Sequence, residues 1–301
     1  MKDKVLSIQS RVAYGYVGGN IADLILQLQG IDIISVPTVL LSTHAENKLF
    51  MGESLSPTLF SKLLEGIDLL DARNDINYMI TGYFAEKRLM EIAYHFIKRL
   101  KTQTPFTYIC DPVMGDYRAG GLYVKEEVAD FYIQHLIELS DIITPNQFEL
   151  EHILKEKIET EQQLLKLITH SDLLAHKTVV MTSAQLSDTE NDAIETIIIA
   201  NKKIVRIAAK KIDAEIVGTG DLFTALTTAQ LNKGRTLEEA VSTTALFIEK
   251  VVKYLKENNL REMTTESIIK FSASLPPYTN DDERNKHSTS FNLSGLKVKT
   301  K

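Results

Sequence analysis

The chain has one cysteine, Cys110, in 301 residues. That excludes an intrachain disulfide, and a thiolate metal site lacks its second thiolate. No stretch approaches the ~18 uninterrupted apolar residues that a membrane-spanning helix needs. Met1-Lys2-Asp3-Lys4 leads straight into a β-prone segment, without the apolar region of a signal peptide. Positive charge is not in excess: 34 Lys and Arg stand against 40 Asp and Glu, a net charge of -6. A protein held on nucleic acid by phosphate contacts carries the opposite balance. Internal repeats are also missing. What is present is 44% hydrophobic and 25% charged, the composition of an ordinary globular protein. The length suits one large α/β domain or two small ones, with ample core. The expectation is a cytoplasmic enzyme whose partners are small molecules, with no nucleic acid and no membrane.

The most informative stretch is Val217-Gly218-Thr219-Gly220-Asp221-Leu222-Phe223. It follows a β-prone segment ending at Ile216 and opens a helical run over Leu222 to Leu231. Glycines let the backbone turn tightly and leave N–H groups uncovered. The first N–H groups of a helix have no internal partner and sit at the positive end of its dipole. Such a place binds an anion, most often phosphate. Asp221 is the unexpected residue, because a carboxylate repels phosphate. One role for it is to take the proton from an alcohol that attacks the phosphate. The plain alternative is an acidic residue stabilising the first helical turn.

Other polar clusters follow in order, each after an apolar strand-like segment. Val5 to Ile8 leads to Gln9 and Ser10, then to a loop, Tyr14-Gly15-Tyr16-Val17-Gly18-Gly19, and a helix ending at Gly30. The glycine spacing is wrong for a dinucleotide fingerprint, and no acidic residue closes the second strand, Ile33 to Leu41. That strand ends in Ser42-Thr43-His44-Ala45, and Tyr78 to Ile80 empties into Thr81-Gly82-Tyr83. Phe106 to Ile109 closes on Cys110-Asp111-Pro112-Val113-Met114-Gly115-Asp116, either a hard-cation site such as Mg²⁺ prefers or a solvated polar turn. A helix is expected over Glu126 to Leu139. Asp141 to Ile143 ends in Thr144-Pro145-Asn146-Gln147-Phe148-Glu149, where Asn146 and Glu149 share one side of a helix start. They read equally as a capping pair, and both readings can hold together. Thr178 to Met181 ends in Thr182-Ser183. Ile194 to Ala200 and Lys203 to Ile207 form an antiparallel edge turning at Asn201-Lys202. Beyond Pro276 apolar residues become scarce. The expected layout is a single domain over residues 1–276 and a flexible polar tail over 277–301. Strands alternating with helices indicate a doubly wound, mostly parallel α/β sheet flanked by helices, with a short antiparallel edge. Every polar cluster then falls on the rim at the strand ends, where open α/β sheets bind ligands.

These runs, in this order, resemble the pyridoxal kinases. The opening Ser7-Ile8-Gln9-Ser10 with Gly15-Tyr16-Val17-Gly18, the Cys110–Asp116 run, Thr144–Glu149, Thr182-Ser183 and Gly218–Phe223 carry the likeness up to about Ala273. The Gly218-Thr219-Gly220-Asp221 element alone is similar to the wider ribokinase-like superfamily. The resemblance implies a ribokinase-like fold, a homodimer, and ATP-dependent phosphorylation of the 5′-hydroxyl of pyridoxal, pyridoxine or pyridoxamine. It also implies Mg²⁺ with ATP as co-substrate and a monovalent cation, K⁺ or Na⁺. Asp221 becomes the base, with the N–H groups of Gly218, Thr219 and Gly220 as the anion hole. Asp116 and Glu149 match Mg²⁺ positions, with Asn146 beside them. Asp111 and Thr144 match positions near the monovalent cation and the nucleotide. Ser10, Val17 and Tyr83 match the ring pocket, Tyr123 a flap over ATP, and Thr182 and Ser183 the phosphate and nucleotide contacts. One departure stands out. The family usually reads Phe-Ser-Asn-His-Thr after the second strand, and here Ala45 replaces the threonine that contacts the ring. Thr43 takes over that contact only if the loop shifts. A hydroxymethylpyrimidine kinase of the same superfamily and a non-catalytic vitamin or nucleotide binder are the rival readings.

Overall fold

A computed structural model describes residues 4–275 and 297–300, apart from 46 and 48. The chain runs β1 (Lys4–Val12), α1 (Gly19–Leu28), β2 (Asp32–Leu41), β3 (Gly52–Ser54), α2 (Pro57–Leu69), β4 (Ile76–Thr81), α3 (Lys87–Gln103) and β5 (Thr107–Cys110). A small hairpin, β6 (Gly115–Asp116) and β7 (Gly121–Leu122), precedes α4 (Glu126–Phe131), α5 (Ile137–Leu139), β8 (Ile142–Ile143), α6 (Gln147–Leu154) and α7 (Glu161–His170). Then come β9 (Thr178–Ala184), β10 (Ala193–Ala200), β11 (Lys203–Lys210), α8 (Thr219–Asn232), α9 (Leu237–Glu257), α10 (Thr265–Ser272) and β12 (Lys297–Thr300).

One ten-stranded sheet holds the order β12-β11-β10-β9-β8-β5-β4-β1-β2-β3. The middle, from β9 to β2, is parallel throughout. Antiparallel strands finish both edges. Alternation along the strands explains the helices on both faces. Leu6 and Ile8 of β1 point into the core under α2, α3 and α6, whereas Val5 points into the core under α1, α8 and α9. Tyr108 and Cys110 of β5 take the first side and Ile109 the second. A period of two with both faces apolar is the signature of a sheet covered on both sides.

The helix α8 is the most enclosed element, buried continuously from Leu222 to Gln230. Its buried threonines are partnered: Thr228 donates to the Thr224 carbonyl at 2.7 Å, and Thr227 donates to Thr244 of α9 at 3.2 Å. Buried polar groups hold their place only when so partnered. Among the described residues, no helix is long and apolar enough to cross a membrane.

Three local expectations need correction or completion. The segment before Gly218 is no strand: β11 ends at Lys210, and residues 211–218 cross irregularly from the sheet edge to α8. Periodicity cannot separate an extended crossover from a strand, since both bury alternate residues. The helix expected over Glu126 to Leu139 is interrupted by a π turn over Tyr132–Leu136. There Tyr132 is fully buried and donates to the Gly82 carbonyl at 2.6 Å. The tail expected over 277–301 lies outside the described residues except for β12, which pairs antiparallel with β11.

Candidate active site

Parallel strands deliver their ends to one rim, and α8 begins there. Gly218 precedes the helix with φ of 85°, a left-handed conformation that favours glycine. A Cβ on Gly218 would run into the Tyr16 carbonyl, so no other residue fits without movement. Gly220 faces open space, with no atom within 4 Å of a would-be Cβ. The first N–H groups of a helix have no partner within it, and beside open space they suit an anion.

Asp221, in the first turn of α8, accepts a hydrogen bond from the Gly18 N–H at 2.7 Å. Gly18 in turn packs directly on Ser10, whose position at a register shift in β1 brings it to the rim. Burial pushes the Asp221 carboxyl up to about 6, with the Gly18 N–H opposing. Asp111, just past β5, is buried and accepts from Thr224 at 3.0 Å. Burial pushes Asp111 up to about 8, and the negative charge of Asp221 adds to the effect. Thr224 also hydrogen-bonds Thr144 at 2.9 Å, so α8 ties the ends of β5 and β8 together. Thr224 was not foreseen from the sequence. Its signal is helical spacing, three residues beyond Asp221 and therefore on the same side.

Glu149 is buried on α6 and is held twice over. It accepts from the Met114 N–H at 2.9 Å and closes a capping box with the Asn146 N–H at 2.9 Å. Burial first, and the charge of Asp111 next, hold its carboxyl well above the usual range. Asn146 also donates to the Gly115 carbonyl at 2.9 Å and forms a bridge to Thr182 at the end of β9. Thr182 and Ser183 close that strand end, with Ser183 at φ of 52°. Tyr123 is 47% exposed, yet burial of its hydroxyl and the charges of Glu149, Asp111, Asp221 and Asp116 all raise its pKa. Asp116 is the outlier, spending its oxygens on the Ala119 N–H at 2.5 Å and on Arg118 at 3.2 Å.

The part of the rim at the ends of β2 and β4 is built differently. Val17 is buried beside Gly218, and Tyr83 follows β4 with its phenol pKa raised by burial. Thr43 is buried, and among the described residues its hydroxyl has no hydrogen-bond partner; neither has Nδ1 of His44. Nε2 of His44 lies 3.5 Å from Glu262, and Ala45 is exposed.

A sequence model of the family described as Phosphomethylpyrimidine kinase matches residues 40–265. The pyridoxal kinase of Homo sapiens is 34% identical over 243 residues, covering 76% of this chain and 78% of its own. The chain belongs to the pyridoxal kinase family. Among solved structures, the pyridoxal kinase of Entamoeba histolytica superposes with a TM-score of 0.83 at 24% identity, covering all of both chains. The Plasmodium falciparum PdxK structure, which holds AMP-PNP and PL, reaches 0.77 at 26% identity over 99% of this chain and 98% of its own. The mostly parallel sheet with its antiparallel edge is thus the ribokinase-like fold of the family. The ends of β1, β2, β4, β5, β8 and β9 and the start of α8, where Ser10, Thr43, Tyr83, Asp111, Thr144, Thr182 and Asp221 fall, meet at the one rim. Thr224 links Asp111 with Thr144, Asn146 and Glu149 form one capping pair, and Asp221 is held separately by the Gly18 N–H.

Proposed function

We propose that the protein transfers the γ-phosphoryl group of ATP to the 5′-hydroxyl of pyridoxal, with pyridoxine and pyridoxamine as further acceptors. The observation that carries this reading is the Asp221 carboxylate held beside an open, glycine-lined helix start. The carboxylate takes the hydroxyl proton as the alcohol oxygen attacks the γ-phosphorus. The bond to the bridging oxygen breaks, and ADP leaves with that electron pair. The N–H groups at Gly218, Thr219 and Gly220 receive the charge on the transferring group. Such preorganised donors contribute about 3 kcal/mol each in the transition state. Ser10, Val17, Thr43 and Tyr83 surround the ring, and Thr182, Ser183 and Tyr123 meet the nucleotide.

ATP brings a divalent cation. The residues suit Mg²⁺, because Glu149 is a buried carboxylate that no salt bridge reaches among the described residues, and Asp116 adds a second carboxylate, shared with Arg118. No group of three potential ligands there is close enough to chelate an ion directly. Mg²⁺ would therefore be held by Asp116, Glu149 and Asn146 largely through water and phosphate oxygens, its usual habit. Its chemistry is to neutralise charge on the phosphates. Asp111 and Thr144 would neighbour a monovalent cation, K⁺ or Na⁺.

The protein acts as a homodimer in the cytoplasm. The support for a dimer is an apolar patch beside the β2–β3 edge, where Tyr14, Leu40, Leu49, Phe50 and Met51 are all exposed. Light scattering at micromolar concentration should give twice the monomer mass. The deciding experiment is a phosphorylation assay over the three vitamers and hydroxymethylpyrimidine. Faster turnover of the pyrimidine would favour the ring named by the family model, and no transfer to any of them would sink the kinase reading.

A further inference from the structure

The β6–β7 hairpin carries Asp116 at its start, and Tyr123 follows just past its end. Its base is fixed by backbone contacts: the Tyr123 N–H reaches the Met114 carbonyl at 3.0 Å, and Glu149 and Asn146 grip Met114 and Gly115. Its tip, residues 117–120, is a turn in which Asp116 accepts from the Ala119 N–H at 2.5 Å, and both Gly120 and the following Gly121 have positive φ. Tyr117 ties that tip to α6. The Tyr117 hydroxyl donates to Glu151 of α6, and the Tyr117 ring stands edge-on to Phe148 with centroids 5.4 Å apart. Lys157 lies 2.7 Å from both the Tyr117 oxygen and the Glu151 carboxylate.

Glu151 is only 7% exposed, which is costly for a carboxylate unless each oxygen is partnered. Its second oxygen accepts from Gln147 at 3.2 Å and from the Ile158 N–H at 3.2 Å. Gln147 then accepts the Gln185 N–H at 2.8 Å, two residues beyond Ser183. A continuous chain, Tyr117 to Glu151 to Gln147 to Gln185, therefore joins the hairpin tip to the end of β9. It runs along the outer side of α6, while Glu149 and Asn146 of the same helix start serve the inner side. Nothing in the transfer chemistry requires Glu151.

We propose that Glu151 is a positioning residue: it holds the β6–β7 hairpin and the β9 end at a fixed spacing, so that a nucleotide is gripped from two sides. Asp116 and Tyr123 approach from one wall, and Thr182 and Ser183 from the other. This rests on the kinase reading above. A preformed wall saves the ordering that binding would otherwise require, so breaking the link weakens nucleotide binding and spares the ring site.

The test uses the full chain. AMP-PNP with Mg²⁺ is titrated calorimetrically into wild type, Tyr117→Phe and Glu151→Gln, with melting temperature and KM for pyridoxal measured alongside. Tyr117→Phe keeps the ring on Phe148 and removes only the hydroxyl, so folding is preserved. The expected result is a Kd for AMP-PNP raised roughly three- to tenfold in both variants, with KM for pyridoxal within about twofold. The double variant should be no worse than the weaker single, because both break one link. An unchanged Kd in both variants overturns the proposal. So does a rise in Kd matched by a rise in KM for pyridoxal and a fall in melting temperature, the mark of a general structural role. If wild type binds AMP-PNP but phosphorylates no vitamer, the kinase reading fails while the ratio of Kd values still judges the link.

Discussion

The two ends of the rim differ in how completely their polar atoms are matched. At the transfer end, Asp221 is held by the Gly18 N–H, Thr224 of α8 bridges Asp111 and Thr144, and Glu149 is held by the Met114 N–H. At the proposed ring end, Thr43 and His44 each bury a polar atom with no partner among the described residues, and the loop departs from the family's usual run. Groups that stabilise a transition state must be in place before the reaction, so they sit on elements that cannot move. Groups that recognise a ring need only meet it on binding, and an unmet hydrogen-bonding group in the free protein is a place waiting for one.

The largest test of the transfer end is Asp221→Asn. The amide keeps the shape and the contact to Gly18 but is a far poorer proton acceptor. General-base help is typically worth 10²–10⁴ in rate, so kcat should fall by about that factor. Binding of AMP-PNP should stay close to wild type, since the anion hole is backbone. A variant that turns over pyridoxal at the wild-type rate would reduce Asp221 to a helix-start residue. Next in size is Gly218→Ala. The methyl group would meet the Tyr16 carbonyl, and alanine strains at φ of 85°. The cradle must shift, and loss of one aligned donor typically costs about 10²–10³ in kcat. Steady-state kinetics check this, and a loss below tenfold would mean that the N–H groups are not aimed at the transferring group.

The same contrast governs what the sequence made legible. The transfer end was readable because its parts are short runs with fixed backbone needs: Gly218 at positive φ, the capping pair Asn146 and Glu149, and Asp221 in a first turn. The strand ends were also readable, because a parallel sheet must place them together. Three things were not. Thr224 looked like any buried helical threonine, and only the fold shows it bridging Asp111 and Thr144. Asp116 looked like a cation ligand, but its orientation depends on the hairpin turn that gives it Ala119 and Arg118. The buried Thr43 hydroxyl depends on a loop conformation that no periodicity encodes.

The pH dependence should follow the transfer end. The base works ionised, and burial places the Asp221 carboxyl at about 6 in the free protein. Acidification through that value protonates it. The acid limb of kcat/KM reports the free enzyme, so it should bend near pH 6 and fall about tenfold by one unit below. An acid limb centred near pH 4, the range of an ordinary carboxylate, would mean that burial does not perturb the base.

The smallest expected effect belongs to the ring end and separates stability from recognition. Thr43→Val replaces a buried, unpartnered hydroxyl by a methyl group of similar shape. Removing such a group relieves its desolvation cost, so the melting temperature of the free protein should stay constant or rise. If that hydroxyl meets the pyridine ring, KM for pyridoxal should rise by the worth of one neutral hydrogen bond, roughly two- to tenfold. Ala45→Thr should act in the opposite direction by a similar factor, because it restores the hydroxyl the family carries there and Ala45 is exposed. The two changes together should leave KM near its wild-type value if one hydroxyl substitutes for the other. Neither should alter Kd for AMP-PNP, which is set at the transfer end. A KM for pyridoxal that moves with neither change would take both residues out of the ring site. It would leave Ser10 and Tyr83 as the polar groups there, and the two ends would then differ in their hydrogen bonding but not in how they bind.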